Sequence, residues 1–230
     1  MRSPTWLLVR DELYGFAKSK VMIVLWVLLP LMAIGGYLVI PADALMGEDG
    51  GPKMSATAFM GFLMSSIAGT VAALMVAVDI ISEKNRKVYE LFVIRPIRRE
   101  AIIWAKFIAV FGCVAVACVL SIAAGLGVDA ARGATITGEM FRDIGKSVLS
   151  LVGVIALSAT VGVFFGVVAK TILVAVILIL YVGQNLAIIP MLPMYLGLLP
   201  NQFWLVMLIS GVLAALLLWA SGVLFRRTEY

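Results

Sequence analysis

The sequence predicts an all-α integral membrane protein. It has six transmembrane helices, an amphipathic helix on the membrane surface ahead of them, and a short cytoplasmic helix between the second and third spans. Three observations predict this. Only 13% of the 230 residues are charged and 63% are hydrophobic, whereas a soluble domain carries roughly 25% charged residues. The mean hydropathy is +1.11, more apolar surface than one soluble core can hide, so the bilayer is the expected solvent. The apolar residues also fall into six runs, each near the ~20 residues that cross ~30 Å of hydrocarbon as helix. The length suits a single membrane domain, residues 1–230.

The surface helix is expected over about 5–19, within "MRSPTWLLVRDELYGFAKSK". At 100° per residue Trp6, Val9, Leu13, Phe16 and Ala17 share one face, and Asp11, Glu12, Gly15, Lys18 and Ser19 lie opposite. This predicts a helix along the inner membrane surface with Trp6 at headgroup depth. Trp6, Arg10, Glu12 and Leu13 are its candidate contact residues. The stretch contains acids and lacks a continuous apolar core, so it does not read as a signal peptide.

The spans are expected at about 21–40, 54–81, 101–128, 147–168, 171–190 and 203–225. Pro30 in the first is tolerated where neighbouring helices satisfy the freed carbonyl. Only Lys170 separates the fourth from the fifth. One helix from Ser147 to Pro190 would be about 66 Å long, twice the hydrocarbon thickness, so the chain must turn at "AKT", 169–171. Small residues recur every four positions: Gly61, Ser65, Gly69, Ala73 and Ala77 in the second span, Ser158, Gly162 and Gly166 in the fourth. Such ladders let helix backbones approach closely in lipid, within the subunit, across a dimer seam or along a path. Residues 190–202, "PMLPMYLGLLPNQ", are apolar but too short to cross, and fit a shallow re-entrant hairpin.

Orientation follows from the basic residues. With the N-terminus inside, 14 of the 18 lie on the cytoplasmic side, and only Lys53, Arg132, Arg142 and Lys146 lie outside. Six spans return the C-terminus to the cytoplasm as well. The six apolar cores read as free of charge, with Asp79 at the inner end of the second span and Lys106 one turn into the third. Together with the absence of histidine, this argues against a self-powered carrier.

Several features carry no chemistry. Cys113 and Cys118 are about 140° apart on a helix and cannot pair with each other. "GKS" at 145–147 lacks the glycine a phosphate-binding loop needs five residues earlier, where Met140 stands. Met191 and Met194 have no histidine or nearby cysteine to complete a copper site. No metal site, nucleic-acid partner, ATP site or catalytic residue is expected in this chain.

The densest charge outside the spans is "DIISEKNRKVYELFVIRPIRREAIIWAK", 79–106. Its middle is half apolar, and Pro96 disfavours helix at Arg95, so 88–94 reads as a short helix followed by a turn. This pattern resembles the membrane subunit of ATP-binding-cassette exporters of the type-2 permease class. In that class an acidic and basic run follows span two, here Glu83 and Lys84. A Glu-Leu-rich segment comes next, here Glu90 and Leu91. A proline and basic residues follow, here Pro96, Arg98 and Arg99, and then a lysine one turn into span three, here Lys106. The N-terminal stretch is similar to the surface helix of the class, with Glu12 and Leu13 at its Glu-Leu pair. Arg95 departs from the small polar residue expected before the proline, and 190–202 is shorter than in many relatives.

The resemblance implies a coupling helix between spans two and three that docks into a cytoplasmic ABC ATPase, two copies of which bind ATP and Mg. The expected docking residues are Glu83, Lys87, Tyr89, Glu90, Leu91, Phe92, Arg95, Pro96, Arg98 and Arg99. A second permease subunit, the same or homologous, would pair across a two-fold axis. The expected function is ATP-driven export of an amphipathic or hydrophobic peptide, lipid or drug, with Gln184 and Asn185 as possible path residues. The expected location is a prokaryotic cytoplasmic membrane. The alternatives are a membrane scaffold that recruits another partner through 86–100, and a secondary carrier.

Overall fold

The structure, a computed structural model, describes residues 4–39, 56–86, 99–131, 138–189 and 200–227, and all of these form helices or the short turns that join them. Helix α1, Pro4–Ala17, opens on a proline, whose missing N–H is not needed in the first helical turn. It stops at Lys18 and Ser19. Ser19 Oγ accepts the Met22 N–H at 3.2 Å, and so caps α2, Lys20–Val39. The two helices meet at 64°. The Lys18 ammonium lies over the Tyr14 ring, 4.1 Å from its centroid, at the bend.

Each apolar run expected as a span is helical over nearly all of its described residues. Helix α2 buries Met22, Leu25, Leu29 and Ala33 on one face and exposes Val24, Val27, Leu28 and Leu31 on the other, the one-sided pattern of a helix at the rim of a bundle in lipid. Helices α3, Ala56–Asn85, α4, Arg99–Ala131, and α5, Gly138–Val168, overrun their apolar cores. The turn expected at 169–171 is present. Thr171, in extended backbone, accepts the Val174 N–H and caps α6, Ile172–Leu178. Helix α6 passes without a break into a π-helical turn, Ile179–Gly183, and then into α7, Gln184–Ala187. Helix α8 is Pro200–Arg227.

Among the described residues, four helices are long and apolar enough to cross a membrane: Met64–Asn85, Glu100–Val128, Gly145–Val168 and Trp204–Arg226. The bent pair Trp6–Ala17 and Lys20–Gly36 makes a fifth if counted as one span, and the apolar stretch Ile172–Leu186 is shorter. The structure thus supports an integral membrane protein with four to five candidate spans, fewer than the six expected. At 1.5 Å per residue the 172–186 stretch falls short of ~30 Å.

The core lies between α3 and α5, where the two small-residue ladders meet. A Cβ on Gly162 would overlap the backbone of Ala73. One on Gly166 would lie 3.0 Å from Ala77 Cα, and one on Gly69 would lie 2.7 Å from Ser158 Oγ. The ladders therefore pack against each other within one chain. Around this seam Val76 and Ile80 of α3, Val110 and Val114 of α4, Ile155 and Val163 of α5, and Phe225 of α8 form one buried cluster. A smaller cluster joins Ala73, Ala77 and Ile81 to Ala175 and Ile179.

Candidate functional site

One end of the bundle gathers most of the described charge contacts. The Arg226 guanidinium at the end of α8 lies 3.6 Å from the Glu100 carboxylate in the first turn of α4. Lys84, in the last turn of α3, donates to the Val167 carbonyl at 3.3 Å, a cation set on the negative end of α5. Helix α3 ends and helix α4 begins at this end of the bundle.

Lys106 is the centre of this end. It lies seven residues into α4, about 10 Å beyond Arg99, and its side chain is 0% exposed. A lysine here needs carboxylates, because an unpaired buried ammonium costs far more than it gains. Three are supplied. Asp79 and Glu83, four residues apart on one face of α3, both accept from its Nζ, Glu83 at 2.9 Å. Glu12 of α1 is 3.1 Å away. The carboxylates stay 18–32% exposed, so they remain partly solvated where the ammonium is not. Burial, with the nearby Glu83 and Asp79 carboxylates, holds the Glu12 carboxyl above the usual carboxylate range, and Lys106 offsets this only in part. Three carboxylates face one ammonium, and the second oxygen of Glu83 is buried with no hydrogen-bond partner.

This cluster corrects two sequence expectations. Glu12, assigned to the polar face of the surface helix, points into the protein. Lys106, placed one turn into a span whose apolar core was read as free of charge, is fully buried. The stripe by which α1 touches the body is buried Phe16 with partly buried Leu8 and Ala17. Trp6, Arg10, Leu13 and Tyr14 are exposed. Leu13 still runs close to α4: Cys113 Sγ lies 4.0 Å from its carbonyl. Next to this contact the Trp26 indole N–H donates to the Cys113 carbonyl at 3.1 Å and ties α2 to α4.

Of the expected docking residues, Glu83 is in the cluster. Arg99 opens α4, with its side chain outside the described residues. Lys87, Tyr89, Glu90, Leu91, Phe92, Arg95, Pro96 and Arg98 all lie outside the described residues, as does the expected coupling helix.

The expected path residues diverge. Gln184 donates to Thr70 Oγ1 across to α3, and Thr70 in turn donates to the Ser66 carbonyl at 2.8 Å. Asn185 is exposed and donates back to Tyr181 of its own helix at 2.5 Å. Gln184 and Thr70 line a small cleft with Ala73, Ser158, Ile179 and Gly183, and the buried Ser158 Oγ beside it has no hydrogen-bond partner. Thr70 and Ser158 were not singled out as polar contacts in the sequence. Only the small size of Ser158, in its ladder, had marked either.

No curated protein matches the chain. The family model described as ABC-2 family transporter protein matches residues 6–202, a range that holds α1 from Trp6 onward, the Lys106 ion cluster, the 87–98 segment and the Gln184 seam. The chain belongs to this ABC-2 family of transporter proteins, as a type-2 permease membrane subunit.

Proposed function

We propose that the chain is the transmembrane subunit of an ATP-driven exporter, with six spans and both termini in the cytoplasm of a prokaryotic cell. Membership of the family implies partnership with an ABC ATPase in general. In this reading the ATPase is a separate cytoplasmic subunit, present in two copies that carry ATP and Mg, and this chain catalyses nothing. A second permease subunit, the same or homologous, completes the path on a two-fold axis.

One observation carries the docking assignment. Helices α3 and α4, which lead into and out of the 87–98 segment, are joined by Lys106 to Asp79 and Glu83 close to its base. A segment braced in this way can transmit a push. Tyr89, Leu91 and Phe92 would fill an apolar groove on the ATPase. Lys87, Glu90, Arg95, Arg98 and Arg99 would set register by charge, with Pro96 ending the short helix. The substrate suited to apolar walls is an amphipathic or hydrophobic peptide, lipid or drug. Gln184, held by Thr70, and Asn185 are the polar groups proposed along the path.

The test is copurification of the ATPase with variants of the docking segment. Leu91→Asp or Phe92→Asp is expected to cut the copurifying ATPase at least about tenfold, because burial of an unpaired carboxylate in an apolar groove costs several kcal/mol. The amount of protein in the membrane stays unchanged. Undiminished association in both variants overturns the docking assignment. A chain that never copurifies with an ATPase favours a membrane scaffold.

A further inference from the structure

We propose that Lys106 is the positioning residue that makes the surface helix α1 move together with the base of the 87–98 segment. The inference rests on the docking role proposed above and names the connection by which a push at that segment leaves it.

The argument is one of sign. Glu12 on α1 faces Asp79 and Glu83 on α3, and carboxylates repel each other. Without Lys106 the charges would drive α1 away from α3. Its ammonium, within 3.1 Å of Glu12 and 2.9 Å of Glu83 and bonded also to Asp79, turns that repulsion into attraction. The lysine is wholly out of water, so its field is weakly screened and acts on carboxylates of both α1 and α3. Helix α1 also packs along α4, through buried Phe16 with Leu8 and Ala17 and with the Leu13 carbonyl beside Cys113 Sγ. The ionic contact extends that hold from α4 to α3.

The consequence runs on to α2. Helix α1 meets α2 at the 64° bend, so a shift of α1 turns the span that follows. Displacement of the 87–98 segment would move α3 and α4, and through Lys106 also α1 and α2, as one body.

The test measures the distance between spin labels at Asp11 on α1 and Asn85 on α3, both exposed, in lipid nanodiscs. Cys113 and Cys118 are buried, so labels go to the introduced cysteines. The variant is Glu12→Gln, which keeps the shape and removes the charge. Arg10→Gln, an exposed charge on the same helix, is the control. For the chain alone, a single narrow distance is expected in the parent and in Arg10→Gln, and a distribution wider by several ångströms in Glu12→Gln. In the complex with its ATPase, trapped ATP is expected to leave the parent distance unchanged and to shift it in Glu12→Gln. A distribution as narrow in Glu12→Gln as in the parent overturns the proposal, as does a parent distance that shifts with ATP. If no ATPase joins the chain, the docking reading fails, and the measurement on the chain alone still judges the role of Lys106.

Discussion

Lys106→Met is expected to lower the melting temperature of the purified protein by about 10 °C. The change fills the same space but strands Glu12, Asp79 and Glu83 around a neutral thioether. Removal of one partner from a buried ion pair costs about 3–5 kcal/mol, and in a chain of 150–250 residues each kcal/mol shifts melting by about 2–4 °C. Unfolding in nanodiscs, followed by circular dichroism, reads the effect. The assignment to charge is checked by neutralising the whole cluster, with Glu12→Gln, Asp79→Asn and Glu83→Gln added to Lys106→Met. Neutral groups of the same shape can match or exceed a buried ion cluster in stability, so this variant should recover most of the loss. If it melts as low as Lys106→Met alone, the lysine matters through its packing and the electrostatic account is wrong.

Gly162→Leu is expected to prevent accumulation of folded protein altogether. Even a Cβ at this position would fall inside the backbone of Ala73, and backbone cannot swing aside as a side-chain tip can. Helices α3 and α5 would have to part along the seam at the centre of the core. Overpacking costs about 1–3 kcal/mol and occasionally more, and a clash with main chain belongs at the upper end. The ladder grades the prediction. Gly166→Ala meets Ala77 Cα at 3.0 Å and should lower melting less. Gly211→Ala meets nothing within 4 Å and should be tolerated. Detergent-solubilised yield and melting temperature rank the three. Equal behaviour of the Gly162 and Gly211 variants would show that the close approach is not what holds the bundle.

The six helical runs and the two small-residue ladders were legible because each rests on a local pattern, but that the ladders face each other was not. Hydropathy over twenty residues marks a helix that meets lipid. A step of four between Gly69, Ala73 and Ala77, echoed in Ser158, Gly162 and Gly166, marks a face that can lie flush against another. The turn at 169–171 was legible for a similar reason, since a forty-four-residue helix cannot fit the bilayer. Helix ends were less legible: α5 begins at Gly138, ahead of the expected 147, because hydrogen bonding continues past the apolar core into polar sequence.

The ion cluster was not legible as a unit. Its members stand on three helices, and spacing along the chain does not say which helices touch. A helical wheel places Glu12 among polar neighbours but cannot tell an acid facing water from one facing an enclosed lysine. The family resemblance drew attention to Glu12, Glu83 and Lys106 one by one, and only the packing of α1 on α4 brings them together. The Gln184 and Thr70 pair was hidden in the same way, since a hydroxyl in a long apolar run carries no mark of its partner.

The π-helical turn at Ile179–Gly183 bears on how this stretch could change through descent. A wider turn of this kind holds one residue more than the α-helical turns on either side. Loss of that residue would restore the ordinary winding and leave Ala175 before it and Gln184 after it facing their present neighbours. Elsewhere in these spans a one-residue deletion would swing everything beyond it by about 100°. Lineages that differ in length by a single codon could therefore share this packing, provided the difference falls within these five positions.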